Sequence, residues 1–309
     1  MTLDVVLPTY NRAALLDKAL DSLAAARRPQ HLNVTVFVVD NNSTDNTKEV
    51  ARRHESGASI PIKYVFERVQ GKSPALNAGI QAGLGELVAM IDDDEQVAVD
   101  WLECISKLFE NHGLDFAGGP YRPEWGAEKP DWITKECGGI VGWVDGGEVE
   151  QSYGTSYNGT LNGGNAVIRR RVLEQIGPFN TSLGRTPKGL LTGEDAEMLG
   201  RLLASGFIGK YVPDLVIYHY VPPQRMTRRY HRLWSWGHGT SMGIIGRTTK
   251  SGVAELLGIP RWQIRHAAVG LARAVKGSLG LENAATTFQG ELRIWNLAGY
   301  INGRFFAKI

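Results

Sequence analysis

Leu87-Val88-Ala89-Met90-Ile91 runs without a break into Asp92-Asp93-Asp94-Glu95. An apolar run of that length reads as a strand buried on both faces, because a strand with one wet face alternates. The acids fall where the strand ends, the edge at which open α/β sheets bind ligands. Four adjacent carboxylates repel one another, and a divalent cation is the simplest counter-charge. A solvated acidic loop ahead of a helix near Val99 is the competing reading.

The arrangement recurs upstream. Residues 3–7, Asn33 to Val39 and Ile62 to Phe66 are β-prone runs. Ala14, Leu15, Ala19, Leu20, Leu23 and Ala24 recur at helical spacing between the first two. Ser43 or Thr44 is expected to cap a second helix through about Glu55, and Ser73, with Pro74 next, to open a third. This alternation predicts an α/β fold: a doubly wound, mostly parallel sheet with helices on both faces. Thr9-Tyr10-Asn11-Arg12, Asp40-Asn41-Asn42 and the acid run each follow a strand. Parallel strands would gather them at one edge, as a pocket with an aromatic ring, an arginine and several carboxylates. The turn after the first strand has no glycine and no P-loop occurs, so neither glycine-rich phosphate-binding motif is present. A nucleotide would then be held by side chains at its base and ribose and by metal at its phosphates.

Downstream the pattern loosens. Residues 118–165 are rich in Gly, Pro and Trp, including Trp125, Trp132 and Trp143, and long irregular stretches of this kind are usually functional loops. Gly163-Gly164-Asn165 leads into a strand, Gly193-Glu194-Asp195 into a helix, and Lys210 to Val212 and Val216 to Tyr220 read as short strands. Residues 224–309 read as up to three helices, with 13 Lys/Arg against 3 Asp/Glu, a net of +10, whereas the whole chain has only +2. From Arg261 to Leu281, apolar Trp262, Ile264, Ala268, Val269, Leu271 and Val275 mix with Arg265, Arg273 and Lys276. Such a basic amphipathic helix suits either an anionic membrane surface or the protein's own core. Cys104 and Cys137 have no metal-ligand spacing, so a reduced compartment is expected. No apolar run approaches the ~20 residues of a membrane span, and Met1 leads straight into a strand, so no signal peptide is expected.

These pieces together resemble a family 2 glycosyltransferase of GT-A fold over about residues 3–225. The resemblance is carried by residues 5–12 (Val-Val-Leu-Pro-Thr-Tyr-Asn-Arg), 38–45 (Val-Val-Asp-Asn-Asn-Ser-Thr-Asp) and 71–79 (Gly-Lys-Ser-Pro-Ala-Leu-Asn-Ala-Gly). Ile91 to Glu95, Gly163-Gly164-Asn165 and Gly193-Glu194-Asp195 complete it. It implies inverting transfer of one sugar from a nucleotide-diphospho-sugar, a UDP-sugar favoured, to an acceptor hydroxyl. Pro8, Thr9, Tyr10, Arg12 and Asp40 would bind the nucleotide, with Asp92 on the ribose and Asp93 beside it. Asp94 would ligate Mn²⁺ or Mg²⁺, with His219 as a further ligand. Lys72 and Arg225 would reach the pyrophosphate. Asp195 would be the catalytic base, with Glu194 sharing that role or holding the acceptor, and Gly164, Asn165 and Trp143 would bind the acceptor. The family commonly has Arg before the Asn that Asn77 matches; here Leu76 stands there. The Gln-x-x-Arg-Trp signature of processive relatives is absent, which favours single-sugar addition.

The expected organisation is a GT-A domain at 1–223, divided into nucleotide-binding (1–117) and acceptor-binding (118–223) halves, followed by a helical basic segment at 224–309. The partners expected are a nucleotide-sugar donor, a carbohydrate or lipid-linked acceptor and an anionic membrane met peripherally at its cytoplasmic face, but no nucleic acid. A non-catalytic nucleotide-sugar or carbohydrate binding protein on the same fold is the alternative.

Overall fold

The computed structural model describes residues 1–57, 59–110, 113–185, 192–248 and 254–307. The chain forms two compact units that interleave in sequence. One takes Met1–Glu124, Val144–Thr181 and Glu194–Tyr220; the other takes Trp125–Trp143, Ser182–Gly193 and Val221–Ile309.

The first unit is built on a sheet. It opens with β1 (Thr2–Thr9), α1 (Ala13–Ala25), β2 (Asn33–Asp40), α2 (Thr47–Gly57), β3 (Ile62–Phe66), α3 (Lys72–Ala82) and β4 (Leu87–Met90). All four strands run parallel, in the order β3-β2-β1-β4. Then follow β5 (Glu95–Val97), α4 (Trp101–Glu110), β6 (Phe116–Gly118) and β7 (Tyr121–Trp125). Past α5 (Gly138–Val141), which belongs to the other unit, come β8 (Gln151–Ser152), β9 (Ala166–Arg169), α6 (Arg170–Ile176), α7 (Glu194–Ala204), β10 (Gly209–Tyr211) and β11 (Ile217–Val221). The main sheet has eight strands, β3-β2-β1-β4-β9-β6-β10-β8, and β9 enters antiparallel to both β4 and β6. Apolar side chains fill both faces. Val5, Leu7, Val36 and Val38 face one cluster, and Val6, Val39, Val88 and Met90 face the other. That two-sided burial is why the strand sequences do not alternate.

Two helix starts differ from expectation. Neither Ser43 nor Thr44 caps α2. Asp45 does so, accepting from the Thr47 amide at 3.1 Å and also from the Ala13 amide. Ser43 and Thr44 instead clamp the loop after β1, through the Asn11 amide and the Asn11 carbonyl oxygen of the side chain. α3 begins two residues early, with Gly71 as its N-cap at φ 147°, and Ser73 is buried in the first turn. Positive φ at that position is open to glycine, so Gly71 rather than Ser73 sets the helix start.

The second unit is mainly helical, with α8 (Arg228–Thr248), α9 (Arg261–Ser278) and α10 (Ala284–Ile301). Its backbones approach closely. A Cβ on Gly270 would strike the Gly290 carbonyl, and one on Gly239, Gly243, Gly299 or Gly303 would strike a facing backbone. α9 buries Gln263, Ala267 and Gly270. The larger apolar residues of the same helix, Trp262, Val269, Leu271 and Val275, are exposed, as are Leu279 and Leu281 beyond it. The apolar stripe read from the sequence is therefore not the packing face; the small residues are. Among the described residues no helix is long and apolar enough to cross a membrane.

Candidate active site

The polar clusters of the first unit converge. β1 and β4 are paired in parallel, so the loop after Thr9 and the acid run leave the sheet at one edge. Thr9 Oγ donates to Asp93 at 2.9 Å, and Arg12 binds Asp93 at 2.8 Å and Asp94 at 3.0 Å. Asp93 is buried, and burial pushes its carboxyl up to about 6 against the pull of Arg12. Arg12 is held charged chiefly by Asp93. Pro8 is buried at the end of β1, and Tyr10 is half-buried in the bend that follows.

Asp40 ends β2 and accepts one hydrogen bond at each oxygen: Ser43 N–H donates to one at 2.8 Å and Tyr64 O–H to the other at 2.7 Å. Lys72 ties the acid run to α7. Its ammonium lies 2.9 Å from Asp92 and 3.9 Å from Glu194. Burial works against its charge, but Asp92, Asp195 and Glu194 outweigh that and raise its pKa. Glu194 is itself buried, and burial with the neighbouring Asp195 pushes it up to about 7. Asp195, in the same first turn, is half-buried.

Glu95 has no motif role in the sequence, yet it lies at the centre of the cluster. It is 1% exposed, accepts the Asp92 amide at 2.7 Å, and its other oxygen has no hydrogen-bond partner among the described residues. Burial, then Asp92 and Asp94, hold its pKa well above the carboxylate range. The oxygens of Asp92, Asp94 and Glu95 fall within 4.8 Å of one another. β5 pairs antiparallel with β11 so that His219 stands opposite Glu95, which brings its Nε2 to 3.7 Å from Asp94. Tyr121 stacks on His219 at 6.2 Å between ring centres. No motif in the sequence marks Tyr121.

Gly163 and Gly164 explain how the carboxylates fit. They form a 3₁₀ turn with Asn165. A Cβ on Gly163 would run into the Asp195 carboxylate, and one on Gly164 into that of Glu95. Two consecutive glycines thus let two carboxylates approach the backbone. Asn165 does not fit the acceptor role expected of it. It is 1% exposed, accepts from Trp101 Nε1 at 3.0 Å and donates to the Leu215 carbonyl at 2.6 Å, so it braces the turn from inside. Leu76, where the family commonly has Arg, is fully buried in the core, while Asn77 clips α3 to the Phe179 backbone in both directions. Trp143 and Arg225 belong to the second unit. Trp143 packs edge-on against Trp125, and Arg225 is buried in the turn Pro223–Met226.

The model for glycosyl transferase family 2 matches residues 4–177. The chain belongs to this family. It is similar to the glycosyltransferase AglE of Haloferax volcanii, 27% identical over 224 residues that cover 71% of this chain and 67% of AglE. It is 26% identical to the succinoglycan biosynthesis protein ExoM of Rhizobium meliloti, over 72% of this chain and 68% of ExoM. It is 30% identical to a glucosyl-dolichyl phosphate glucuronosyltransferase of Haloferax volcanii, over 60% of this chain and 58% of that protein. Its fold matches a mannosyltransferase from Pyrobaculum calidifontis solved with GDP-Man and Mn²⁺ (TM-score 0.65, 20% identity, 99% of this chain, 88% of that one). It also matches S. aureus TarS solved with UDP (TM-score 0.56, 18% identity, 98% and 90%). The fold is therefore GT-A, and this family 2 glycosyltransferase carries its acidic cluster after β4.

Proposed function

We propose that the chain transfers a single sugar, with inversion, from a nucleotide-diphospho-sugar to an acceptor hydroxyl in polysaccharide or lipid-linked oligosaccharide synthesis. The observation that carries this reading is the meeting of Asp92, Asp94, Glu95 and His219 with Glu194 and Asp195 around one glycine turn. Binding alone would not require the second carboxylate group; displacement by a hydroxyl does, because its proton must be taken. Asp195 is the base. It is the more accessible of the two acids at the start of α7, whereas buried Glu194 stays partly protonated near neutral pH and holds Lys72 in place.

The residues fit a hard divalent cation. Clustered carboxylate oxygens with one imidazole suit Mn²⁺ or Mg²⁺, and the unpartnered buried oxygen of Glu95 is a donor waiting for such a partner. Asp94, with Asp92, Glu95 and His219 about it, would hold the ion, which when bound offsets charge developing on the departing diphosphate. Arg12 keeps Asp93 and Asp94 oriented, and Lys72 does the same for Asp92. Asp40 has lone pairs left to accept a base N–H, which supports a uracil edge and hence a UDP-sugar. The exposed apolar residues of α9, set among Arg261, Arg265 and Lys276, support peripheral contact with an anionic membrane on the cytoplasmic side.

The test is a panel of UDP- and GDP-sugars with Mn²⁺ or Mg²⁺, read by thermal shift and donor hydrolysis. A metal-dependent shift with one donor, lost in Asp94→Ala, is the expected result. Equal shifts with and without metal would remove Asp94 from the ion's site.

A further inference from the structure

The chain enters α7 without a side-chain cap. Glu194 is the first residue of the helix, so the N-cap position falls on Gly193, which has no side-chain oxygen to offer the first-turn amides. Helix ends fray unless held, yet this first turn carries both Glu194 and Asp195. The hold comes from the residues just before it. Within the second unit, the Thr192 amide donates to Ser241 Oγ of α8 at 2.8 Å. Thr192 Oγ1 lies 3.0 Å from Nδ1 of His238, on the preceding turn of the same helix. Gly193 is buried with φ 109°, a conformation open to glycine, and a Cβ there would press on Met242 and Ile245 at 3.0 Å.

Each part of this anchor is itself fixed. Ser241 is fully buried and its hydroxyl donates to the Gly237 carbonyl, which leaves its oxygen to accept from Thr192. Trp234 stacks on the His238 ring, with centres 5.0 Å apart and planes 10° apart, and so holds the imidazole's orientation. Burial lowers the imidazole's pKa, which keeps the ring neutral at pH 7. Gly239 and Gly243, interspersed with His238 and Ser241 along α8, are where the backbone of α10 closes on that helix. The mount for Thr192 is thus a packed helix rather than a loop. Placement matters most at a group that takes a proton, because an error of about 1 Å can cost about 10²-fold in rate. Asp195 follows Thr192 by only three residues, with glycine and the first residue of α7 between them.

We propose that Thr192 and His238 are positioning residues for Asp195, their hydrogen bond fixing the point from which the first turn of α7 starts. The inference rests on the reading of Asp195 as the base. The test uses the full chain, Mn²⁺ and whichever donor of the UDP- and GDP-sugar panel the wild type hydrolyses, with water as the acceptor whose proton Asp195 takes. Thr192→Val and His238→Phe, which keeps a ring for Trp234 to stack on, should each lower kcat about tenfold with the donor KM unchanged. Thr192→Ser should keep the wild-type rate. The double variant Thr192→Val/His238→Phe should cost no more than either single one, since both remove the same bond. In hydrogen exchange, the amides of residues 197–200 should exchange faster in Thr192→Val than in the wild type, while those of β1 are unchanged. Wild-type kcat in both single variants, a raised KM at unchanged kcat, additive losses in the double variant, or unaltered exchange would each overturn the proposal. Asp195→Asn, run alongside, separates the two ideas. If it hydrolyses donor at the wild-type rate, the base assignment falls and this inference with it. If it is inactive while Thr192→Val and His238→Phe are unimpaired, only this inference falls.

Discussion

The two units use polar and apolar residues in opposite ways. In the first, apolar side chains are inside and the unusual feature is buried charge. Asp93, Asp94, Glu95 and Glu194 are all under 9% exposed and are offset by Arg12 and Lys72. In the second, Arg225 is buried but the more unusual feature is exposed apolarity. α9 gives its small residues to the interior, while Leu271 and Val275 are about half exposed. Buried charge is costly unless chemistry or a counter-ion uses it, and exposed apolar surface is unusual unless something covers it. Each unit therefore departs from an ordinary globular surface where it is expected to meet a partner.

The sharpest way to break this contrast is Asp195→Asn. Transfer should fall by roughly 10²- to 10⁴-fold, the usual worth of a general base, with nucleotide binding retained in titration. Wild-type turnover would show that the second carboxylate group is structural.

Buried charge also predicts a pH dependence in the metal-free protein. Glu194 has a folded pKa of about 7 against an ordinary 4.5, so the folded chain holds a proton that the unfolded chain has released. Its contribution favours folding below pH 4.5 and is lost as pH rises to about 7, a change on the order of 3 kcal/mol. Chemical denaturation of Glu194→Gln across that window should give a flatter profile than the wild type. A parallel profile would mean that Glu194 is not held protonated.

Gly164→Ala tests the carboxylate packing itself. The added methyl would displace Glu95, and Mn²⁺-dependent nucleotide binding should weaken by about 10- to 100-fold, as when support around a metal ligand is lost. The smallest effect is expected on α9. Leu271→Glu should weaken sedimentation with phosphatidylserine vesicles about tenfold, the loss of one inserted side chain, while donor hydrolysis without lipid is unchanged. Unchanged sedimentation would leave the exposed face with some other use.

Much of the first unit was legible in the sequence because strands buried on both faces leave unbroken apolar runs, and β1, β2 and β4 each end in a polar cluster. Strand direction was not legible for β9: Ala166 to Arg169 would read the same parallel or antiparallel. The clustering of the candidate site was legible where a motif is read one residue at a time, as at Asp92 and Asp94, which the structure brings together. It was lost where the role depends on what lies across the turn. Glu95 passed as a bystander because only the pairing of β5 with β11 and the missing Cβ of Gly164 show its place. Asn165 was misread for the same reason, since Trp101 and Leu215 are distant in sequence. For α9 the apolar periodicity was real, but periodicity cannot say which face turns inward. The decisive signal was the recurrence of Gly270 and Gly277, which close approach requires: a Cβ there would meet Gly290 and Thr287.

The turn at Gly163-Gly164 has one more consequence. Asp195, the acid proposed to receive the proton, and Glu95, at the centre of the proposed ion site, rest against adjacent residues of the same short backbone. Like two parts bolted to one bracket, they keep their spacing when the bracket moves. Thermal drift of the sheet edge would carry both together, so the alignment of bond making with bond breaking need not depend on the stiffness of the whole fold. It depends on two residues that have no side chain to get in the way.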